Sequence, residues 1–208
     1  MDIEYKGANC VVLTVKKSAI VIDPKLSLVG LKDSLPKNAV VIATQPDLLV
    51  SSEDSVVVDR PGEYEVRDVS VTGVAAERMV DHDKRLNSTI YRLVAGDVRI
   101  AVVGHAAVPL TEEQLEVLGV VDVAIIPVGG NGYTSDAHQA VGVIRQIDPK
   151  IVIPTHYADA ALTYEVPQMD LEPFLKELNA PQHEKMAKWK SKGGISDVLT
   201  VVELERTA

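Results

Sequence analysis

A layered α/β domain is the fold class that this sequence indicates, on the evidence of its length, its composition and its pattern of apolar runs. The chain has 208 residues, 46% of them hydrophobic, which is enough to bury the core of one domain. Only 4% are aromatic, so the core consists mainly of aliphatic and β-branched side chains, which favour strands. Short apolar runs fill the first half, and strands alternate with helices in the second. We therefore predict one domain over residues 1–208.

Short strands separated by tight turns are predicted for the first half. Apolar runs at residues 9–15 and 19–22 flank a polar break, which predicts a hairpin that ends at Asp23. Residues 39–43 predict a buried strand that ends just before Thr44 and Gln45. Further strands are predicted at residues 56–58, 64–66 and 69–74, punctuated by Pro61-Gly62 and Arg67-Asp68.

The second half begins with a hairpin and a helix. Residues 89–94 and 98–103 predict two strands joined by a two-residue Gly-Asp turn, which suits a tight reversal. Thr111 begins the helix, because Thr111 and Gln114 have the spacing of a capping box. Gly119 ends it.

Two more helices and three more strands complete the prediction. Thr134 or Ser135 caps a helix whose apolar positions recur at helical spacing over about residues 137–147. Asp148 and Pro149 stop it. Strands are predicted at residues 121–127, 151–153 and about 198–204, and a last helix begins at about residue 171.

The charge of the chain argues against nucleic acid as a partner. The formal net charge is −9, so the protein repels phosphates unless its basic groups cluster. The one dense basic stretch is short, is preceded by an acid and is predicted to be a solvated segment; it contains Lys185, Lys188, Lys190 and Lys192. We therefore expect no nucleic-acid partner.

Cysteine content and hydropathy bear on the location of the protein. Cys10 is the single cysteine, so no intramolecular disulfide can form, and its apolar surroundings predict a small buried side chain. The first residues have no apolar core of a signal peptide, and no apolar stretch reaches membrane-spanning length. We expect a cytoplasmic protein with no membrane partner.

Polar side chains near the ends of predicted strands are the candidates for function. In layered α/β folds, ligands gather where strands end and loops begin. Five candidates follow strands in this way, and a sixth lies at a helix start after a glycine loop; they are Asp23, Gln45, Asp47, His105, Asp136 and His156. We predict that these side chains line one cleft.

Several segments of the chain match a known superfamily. They are Pro61-Gly62-Glu63-Tyr64-Glu65-Val66, Asn87-Ser88-Thr89-Ile90-Tyr91 and, above all, residues 109–157 with Ile126-Pro127-Val128-Gly129-Gly130 and Pro154-Thr155-His156-Tyr157. In these segments the chain resembles the metallo-β-lactamase superfamily, and in particular its small prokaryotic zinc-dependent hydrolases. The resemblance covers nearly the whole chain. It implies the metallo-β-lactamase fold, an αββα four-layer sandwich of two mixed sheets packed face to face with helices outside.

The same resemblance implies where a metal centre would lie, and most of its ligands are missing there. The family's Thr-His-x-His-x-Asp-His motif falls at residues 44–48, where Thr44 and Asp47 match but the three histidines are absent. A second ligand histidine, expected after residues 71–74, is replaced by Ala75-Ala76-Glu77. The family's bridging aspartate falls at His105, so His156 is the one ligand that stands unchanged.

The number of donors decides the predicted chemistry. Zinc takes about four ligands, about three of them from the protein in a catalytic site, and a second ion needs still more. A single retained family histidine cannot hold two ions, so we expect no metal cofactor and assign no catalytic residue. The alternative is a reduced, mononuclear zinc site built from Asp47, His105 and His156, with Asp23 or Asp136 as a further donor.

These observations leave three functional hypotheses. The leading one is a member of the fold with a degenerate metal site, non-catalytic or altered in activity, that binds an unknown small molecule or protein partner. The alternative is a metal-dependent hydrolase with a mononuclear site that uses His105 and His156. A third is a structural subunit that forms an oligomer through exposed sheet edges. Fold alone identifies no substrate.

Overall fold

Two β-sheets packed face to face form the centre of the molecule, in a computed structural model that describes residues 1–80, 87–191 and 194–207. In chain order the strands are β1 (Asp2–Gly7), β2 (Cys10–Val15), β3 (Ser18–Ile22), β4 (Val40–Ile42), β5 (Val56–Val58), β6 (Gly62–Val66), β7 (Val69–Ala76), β8 (Ser88–Ala95), β9 (Val98–Val102), β10 (Val123–Pro127), β11 (Ile151–Thr155), β12 (Gln182–Met186), β13 (Trp189–Lys190) and β14 (Thr200–Leu204). The helices are α1 (Glu112–Leu118), α2 (Ala137–Ile147) and α3 (Leu171–Leu178), and 3-10 helices cover Leu26–Val29 and Pro46–Leu48.

Each sheet combines antiparallel and parallel strands. The first has the order β13-β1-β2-β3-β4-β5, and the second has the order β12-β14-β11-β10-β9-β8-β7-β6. Strands β3 and β4 are parallel, and so are β9, β10 and β11. Within each of these parallel sets, the carboxyl ends of the strands lie at one edge of the sheet, which is where loops collect polar side chains.

The core between the sheets is built from the aliphatic side chains that the composition predicted. Alternate residues of β2 and β3, such as Leu13 and Ile20, face alternate residues of the second sheet, such as Leu93 and Ile125, in one buried cluster. Successive strand side chains point to opposite faces, so each strand gives half of its residues to this layer. The predicted hairpins are confirmed as the pairs β2–β3 and β8–β9.

The helices lie outside the sheets, which confirms the predicted αββα class. Helix α1 packs on β7 and β8, and α2 packs on β10 and on α3. The outer face of the first sheet is covered near Cys10 and Val21 by the 3-10 helix Leu26–Val29 and by Leu162. The second sheet is therefore covered by α-helices, whereas a 3-10 helix and Leu162 cover part of the first sheet.

The capping of the helices is confirmed at one site and corrected at another. Thr111 caps α1 and forms the predicted capping box with Gln114. The cap of α2, however, is Asp136, whose Oδ1 accepts the Gln139 N–H at 2.8 Å. Thr134 cannot serve there because its buried hydroxyl accepts the Gly130 N–H at 2.9 Å.

Three strands were not predicted. Strand β1 has only Ile3 and Tyr5 as buried apolar residues, too few to give a clear periodic signal. Strand β13 has two residues. The basic stretch that was predicted to be a solvated segment lies partly in strands. Lys185 is in β12, whose side chains are largely exposed but whose backbone pairs with β14, and Lys190 is in β13. Lys192, from the same stretch, lies outside the described residues.

Among the described residues, no helix combines the length and apolar character that a membrane crossing requires.

Candidate functional site

The end of β3 is tied to the end of β4 by a buried carboxyl group. Asp23 follows β3, and its two oxygens accept hydrogen bonds from the Thr44 backbone N–H and from the Thr44 hydroxyl, each at 2.7 Å. Burial of this side chain raises its pKa to about 7, although both hydrogen bonds lower it. Asp23 therefore has both oxygens engaged within the protein, and its charge is not firmly fixed at neutral pH.

Two buried histidines meet beside this carboxyl group. His105 follows β9 and His156 follows β11, and their ring centroids lie 4.9 Å apart with the planes at 84°. Burial lowers the pKa of His156 to about 4. Burial lowers the pKa of His105 well below its usual range, and the neighbouring His156 and Arg78 lower it further. Both imidazoles are therefore neutral at neutral pH.

The tautomer of His156 follows from its neighbour Gln168. The Nδ1 atom of His156 lies 3.2 Å from Gln168 Oε1, and the amide nitrogen of Gln168 donates to the Val166 carbonyl at 2.7 Å, which fixes the orientation of that amide. Because Oε1 can only accept, Nδ1 of His156 carries the proton and Nε2 is the acceptor of the ring.

The backbone holds His156 in an unusual conformation. Its φ is 53°, in the left-handed region, and its N–H donates to the Ala8 carbonyl at 2.8 Å. Gly129, which follows β10, approaches it so closely that a Cβ at that position would lie 2.1 Å from the His156 carbonyl oxygen and 2.3 Å from Gln168 Oε1. The glycine loop is therefore required for the packing of His156 and Gln168.

Tyrosines surround the histidine pair, although the chain has few aromatic residues. The ring centroid of Tyr133 lies 4.9 Å from that of His105 and 5.7 Å from that of His156. The ring centroid of Tyr164 also lies close to that of His156, at 4.9 Å. Tyr133 and Tyr164 were missed in the sequence, where the one available signal was their scarcity: the chain has six tyrosines in 208 residues.

These residues line a cavity of about 80 Å³. The polar and aromatic side chains that line it are Asn9, Asp23, Lys25, His105, Tyr133, His156, Tyr164, Glu165 and Gln168. Apolar side chains complete its walls, and they are Leu26, Leu28, Val29, Leu48 and Val166, with Ala8 beside them. The cavity therefore joins an apolar wall to a set of buried hydrogen-bonding groups, which is the usual composition of a small-molecule site.

The other three predicted residues do not line this cavity. Gln45 is buried after β4, and its Nε2 has no hydrogen-bond partner in the described part of the chain. Asp47 has 74% of its side chain exposed and pairs with Arg78 at 3.3 Å. Asp136 is exposed and caps α2, which directs its carboxylate to the first turn of that helix. The cavity thus brings together Asp23, His105 and His156.

The residues present do not fit the zinc centre that the resemblance implies. Within residues 1–80, 87–191 and 194–207, no three His, Cys, Asp or Glu side chains form a group that could hold a metal ion. The two histidines supply two donors, both oxygens of Asp23 are bound to Thr44, and Asp47 is paired with Arg78. A catalytic zinc ion needs about three protein ligands, and a dinuclear centre needs more.

Most of the chain matches a known family model, and part of it matches a relative in sequence. A family model described as the beta-lactamase superfamily domain matches residues 2–156. A UPF0173 protein of Pyrococcus furiosus is 34% identical over 86 residues, which are 41% of this chain and 37% of that protein. The matched segment therefore spans little more than a third of the length of this relative.

Solved structures share the fold over almost the full length. A Thermotoga maritima member of the metallo-β-lactamase superfamily, described provisionally as a Zn-dependent hydrolase, is 24% identical, with a TM-score of 0.75 over 99% of this chain and 100% of that one. Igni18 of Ignicoccus hospitalis, described as a metallo hydrolase, is 19% identical, with a TM-score of 0.58 over 86% of this chain and 90% of that one. At these identities the likeness shows the fold and no activity.

Proposed function

The chain belongs to the β-lactamase superfamily, and from that membership we propose that it binds a small molecule in the His105–His156 cavity without the dinuclear metal centre of the family. The observation that carries this proposal is the contact between two buried, neutral imidazoles at a cavity whose other polar groups do not complete a metal site. The site is degenerate in this sense, and the activity is absent or altered.

The position of each missing donor supports the loss of the metal centre. Family positions that would carry histidines hold Gln45 and Leu48, and the position of the bridging aspartate holds His105. Two dications placed close together repel each other strongly, and an anionic bridge offsets that repulsion. A neutral imidazole offers no such charge, so the exchange of the bridging acid for His105 removes the group that would hold a second ion.

The cavity supports the small-molecule part of the proposal. His105 lines it, and the Nε2 atom of this residue is buried with no hydrogen-bond partner among the described residues. An unpaired buried polar atom costs about 1–3 kcal/mol, and a bound ligand or water that pairs with it removes that cost. A ligand of suitable chemistry therefore gains affinity from groups that the protein leaves unpaired.

A mononuclear hydrolase is the competing function, and one observation favours it. His105, His156 and Asp23 line the same cavity, so two imidazole donors lie together beside a carboxyl group. The two hydrogen bonds from Thr44 leave a free lone pair on each oxygen of Asp23, so this carboxyl group could serve as the third donor. We rank this function second because, within the described residues, these side chains do not form a group of three that could hold a metal ion.

The partner and location in this proposal follow from charge and cysteine content. The net charge of −9 favours a small molecule or a protein over nucleic acid as the partner, and the lone buried cysteine agrees with a cytoplasmic location.

Elemental analysis tests the proposal directly. Protein purified without a chelator or a histidine tag is dialysed and then titrated with zinc in a calorimeter. We expect well under two zinc ions per chain after dialysis, no stoichiometric zinc binding, and no lactamase or phosphodiesterase turnover with zinc or manganese. The variant His138→Ala, which removes an exposed histidine, controls for surface binding. Tight zinc that is lost in His156→Ala and kept in His138→Ala would establish the hydrolase instead.

A further inference from the structure

We propose that Arg206 is a positioning residue of the cavity: its ion pair with Asp159 holds the loop that places Gln168 on His156, and so fixes which nitrogen of the His156 ring carries the proton. The inference goes beyond the proposed function, because it concerns how the cavity is kept in shape and not what binds in it. The loop covers residues 157–169, and we call it the covering loop.

The covering loop forms one wall of the cavity. Four of its side chains line the cavity, and they are Tyr164, Glu165, Val166 and Gln168. Its two ends lie close together, because the Ala158 N–H donates to the Met169 carbonyl at 2.9 Å, which is the arrangement of an Ω-loop. Met169 in turn donates its N–H to the Gly129 carbonyl at 2.7 Å. The placement of the lining side chains therefore depends on how these two ends are held.

Asp159 joins one end of the covering loop to a distant part of the chain. Its Oδ1 accepts the Ala161 N–H at 2.9 Å, and its backbone carbonyl accepts the Leu162 N–H at 3.0 Å, which together form a turn. Its Oδ2 accepts the Nε–H of Arg206 at 2.7 Å. The side chains of Arg206 and Asp159 are 27% and 23% exposed, so solvent and salt screen this pair less than a pair at the open surface.

The backbone of Arg206 is held by the first sheet. Arg206 lies beyond the end of β14 in the second sheet, and it forms a bridge with Tyr5 of β1 in the first. The N–H of Thr207 also donates to the Tyr5 carbonyl at 2.9 Å. A Cβ at Gly7 would lie 3.1 Å from the Cδ of Arg206, so this glycine leaves room for the arginine stem. Arg206 therefore offers its guanidinium to the covering loop from a fixed position.

The ion pair acts on His156 through Gln168. Asp159 and Gln168 are the neighbours, along the chain, of the two residues whose backbone hydrogen bond closes the covering loop. Gln168 Oε1 lies 3.2 Å from Nδ1 of His156, and the hydrogen bond that one ring nitrogen makes decides which nitrogen carries the proton. Without the ion pair, the ends of the loop can rearrange, and the proton of His156 is shared between its two nitrogens.

Two variants remove the ion pair from opposite sides. Arg206→Met keeps an apolar stem beside Gly7 and removes the charge. Asp159→Asn keeps an oxygen for the Ala161 N–H and replaces the oxygen that faces Arg206. Partly exposed pairs contribute little to stability, so both variants should fold, and thermal unfolding checks this. Should one of them fail to fold, the other decides on the same readout.

The nitrogen resonances of the His156 ring give a readout that a loss of stability alone would not move. They are measured in the folded, metal-free protein at about pH 8, where an ordinary histidine is neutral. In the wild type, the protonated and the unprotonated nitrogen resonate far apart. We expect the two resonances to move toward each other in Arg206→Met and in Asp159→Asn, because a mixture of tautomers averages them.

Two further variants test whether the pair itself is responsible. The double variant Arg206→Met with Asp159→Asn should have no larger effect than either single variant, because all three lose the same interaction. Arg206→Lys keeps the positive charge and should restore most of the separation between the two His156 resonances.

Lys185→Met is the matched control. It removes an ion pair with Glu203 of β14, and neither of these residues lines the cavity. It should leave the His156 resonances unchanged. Unmoved resonances in the folded pair variants, an effect of the double variant equal to the sum of the two singles, or the same change in Lys185→Met would each overturn the inference. The zinc titration tests the proposed function separately, because its outcome does not alter the resonances of the metal-free protein.

Discussion

The rings of His105 and His156 meet edge to face with their centroids 4.9 Å apart, across the end of a strand that separates them in the sheet. The two residues follow β9 and β11, and β10 runs between these strands. The chain after β10 continues into Gly129, where a Cβ would strike the His156 carbonyl oxygen. The contact therefore depends on a glycine in the intervening loop, as well as on the two histidines.

The pH dependence of stability should reveal His156. Its pKa is about 4 in the folded protein and near 6.5 when exposed, so the unfolded chain binds the proton first. The stabilisation is fully present above about pH 6.5 and is lost as the pH falls toward about 4. The variant His156→Asn has no such titration, and asparagine tolerates the left-handed backbone at this position.

Urea denaturation of wild type and His156→Asn at several pH values checks this. The free energy of unfolding of the wild type, relative to the variant, should fall by on the order of 3 kcal/mol between about pH 7 and pH 4. Use of the difference removes the contributions of titratable groups that do not contact His156. A difference that stayed constant over this range would show that His156 is not buried in the neutral form.

Asp23 should act in the opposite direction. Its pKa of about 7 in the folded protein lies above the usual value of 3.8, so the folded chain holds the proton more tightly. The stabilisation is present below about pH 4 and is lost as the pH rises through about 7. Relative to Asp23→Asn, the free energy of unfolding of the wild type should fall by on the order of 4 kcal/mol over that range. Chemical denaturation measures it, and a rise with pH would contradict the burial of this carboxyl group.

Gly129→Ala should destabilise the protein and displace His156. The new Cβ would lie 2.1 Å from the His156 carbonyl oxygen, and overpacking of this kind typically costs about 1–3 kcal/mol. Gly142→Ala is the matched control, because a Cβ at that exposed position of α2 meets nothing within 4 Å, and alanine favours a helix by up to about 1 kcal/mol. Thermal unfolding and the His156 ring resonances give the two readouts. Equal stability of the two variants would refute the close approach.

Asp136→Ala should lower stability and leave the cavity intact. The carboxylate caps α2, and loss of such a cap costs about 1 kcal/mol. Because Asp136 does not line the cavity, the ring resonances of the two histidines should not change. Shifted histidine resonances at unchanged stability would place Asp136 in the site, as the sequence had suggested.

The sequence by itself determined most of the local structure and the candidate positions of the site. Strong apolar runs predicted β2, β3, β8 and β9, and the capping box predicted the start of α1. These features depend on residues close together in the chain, so local periodicity and capping chemistry are enough to find them. Strands with weak or polar patterns, such as β1 and β12, were missed because only their pairing with distant strands makes them regular.

The tertiary structure alone decided which polar side chains share the cavity. Asp23, His105 and His156 meet there, whereas Asp136 caps a helix and Asp47 pairs with Arg78 at the surface, although all five carry plausible donors at similar places in the sequence. Asn9, Gln168 and the two tyrosines join them from loops that carry no motif. The reason is physical: a strand end fixes only the edge of the sheet where a side chain emerges. Its partner is set by sheet order and by glycines that let loops approach, and both depend on contacts between residues far apart in the chain.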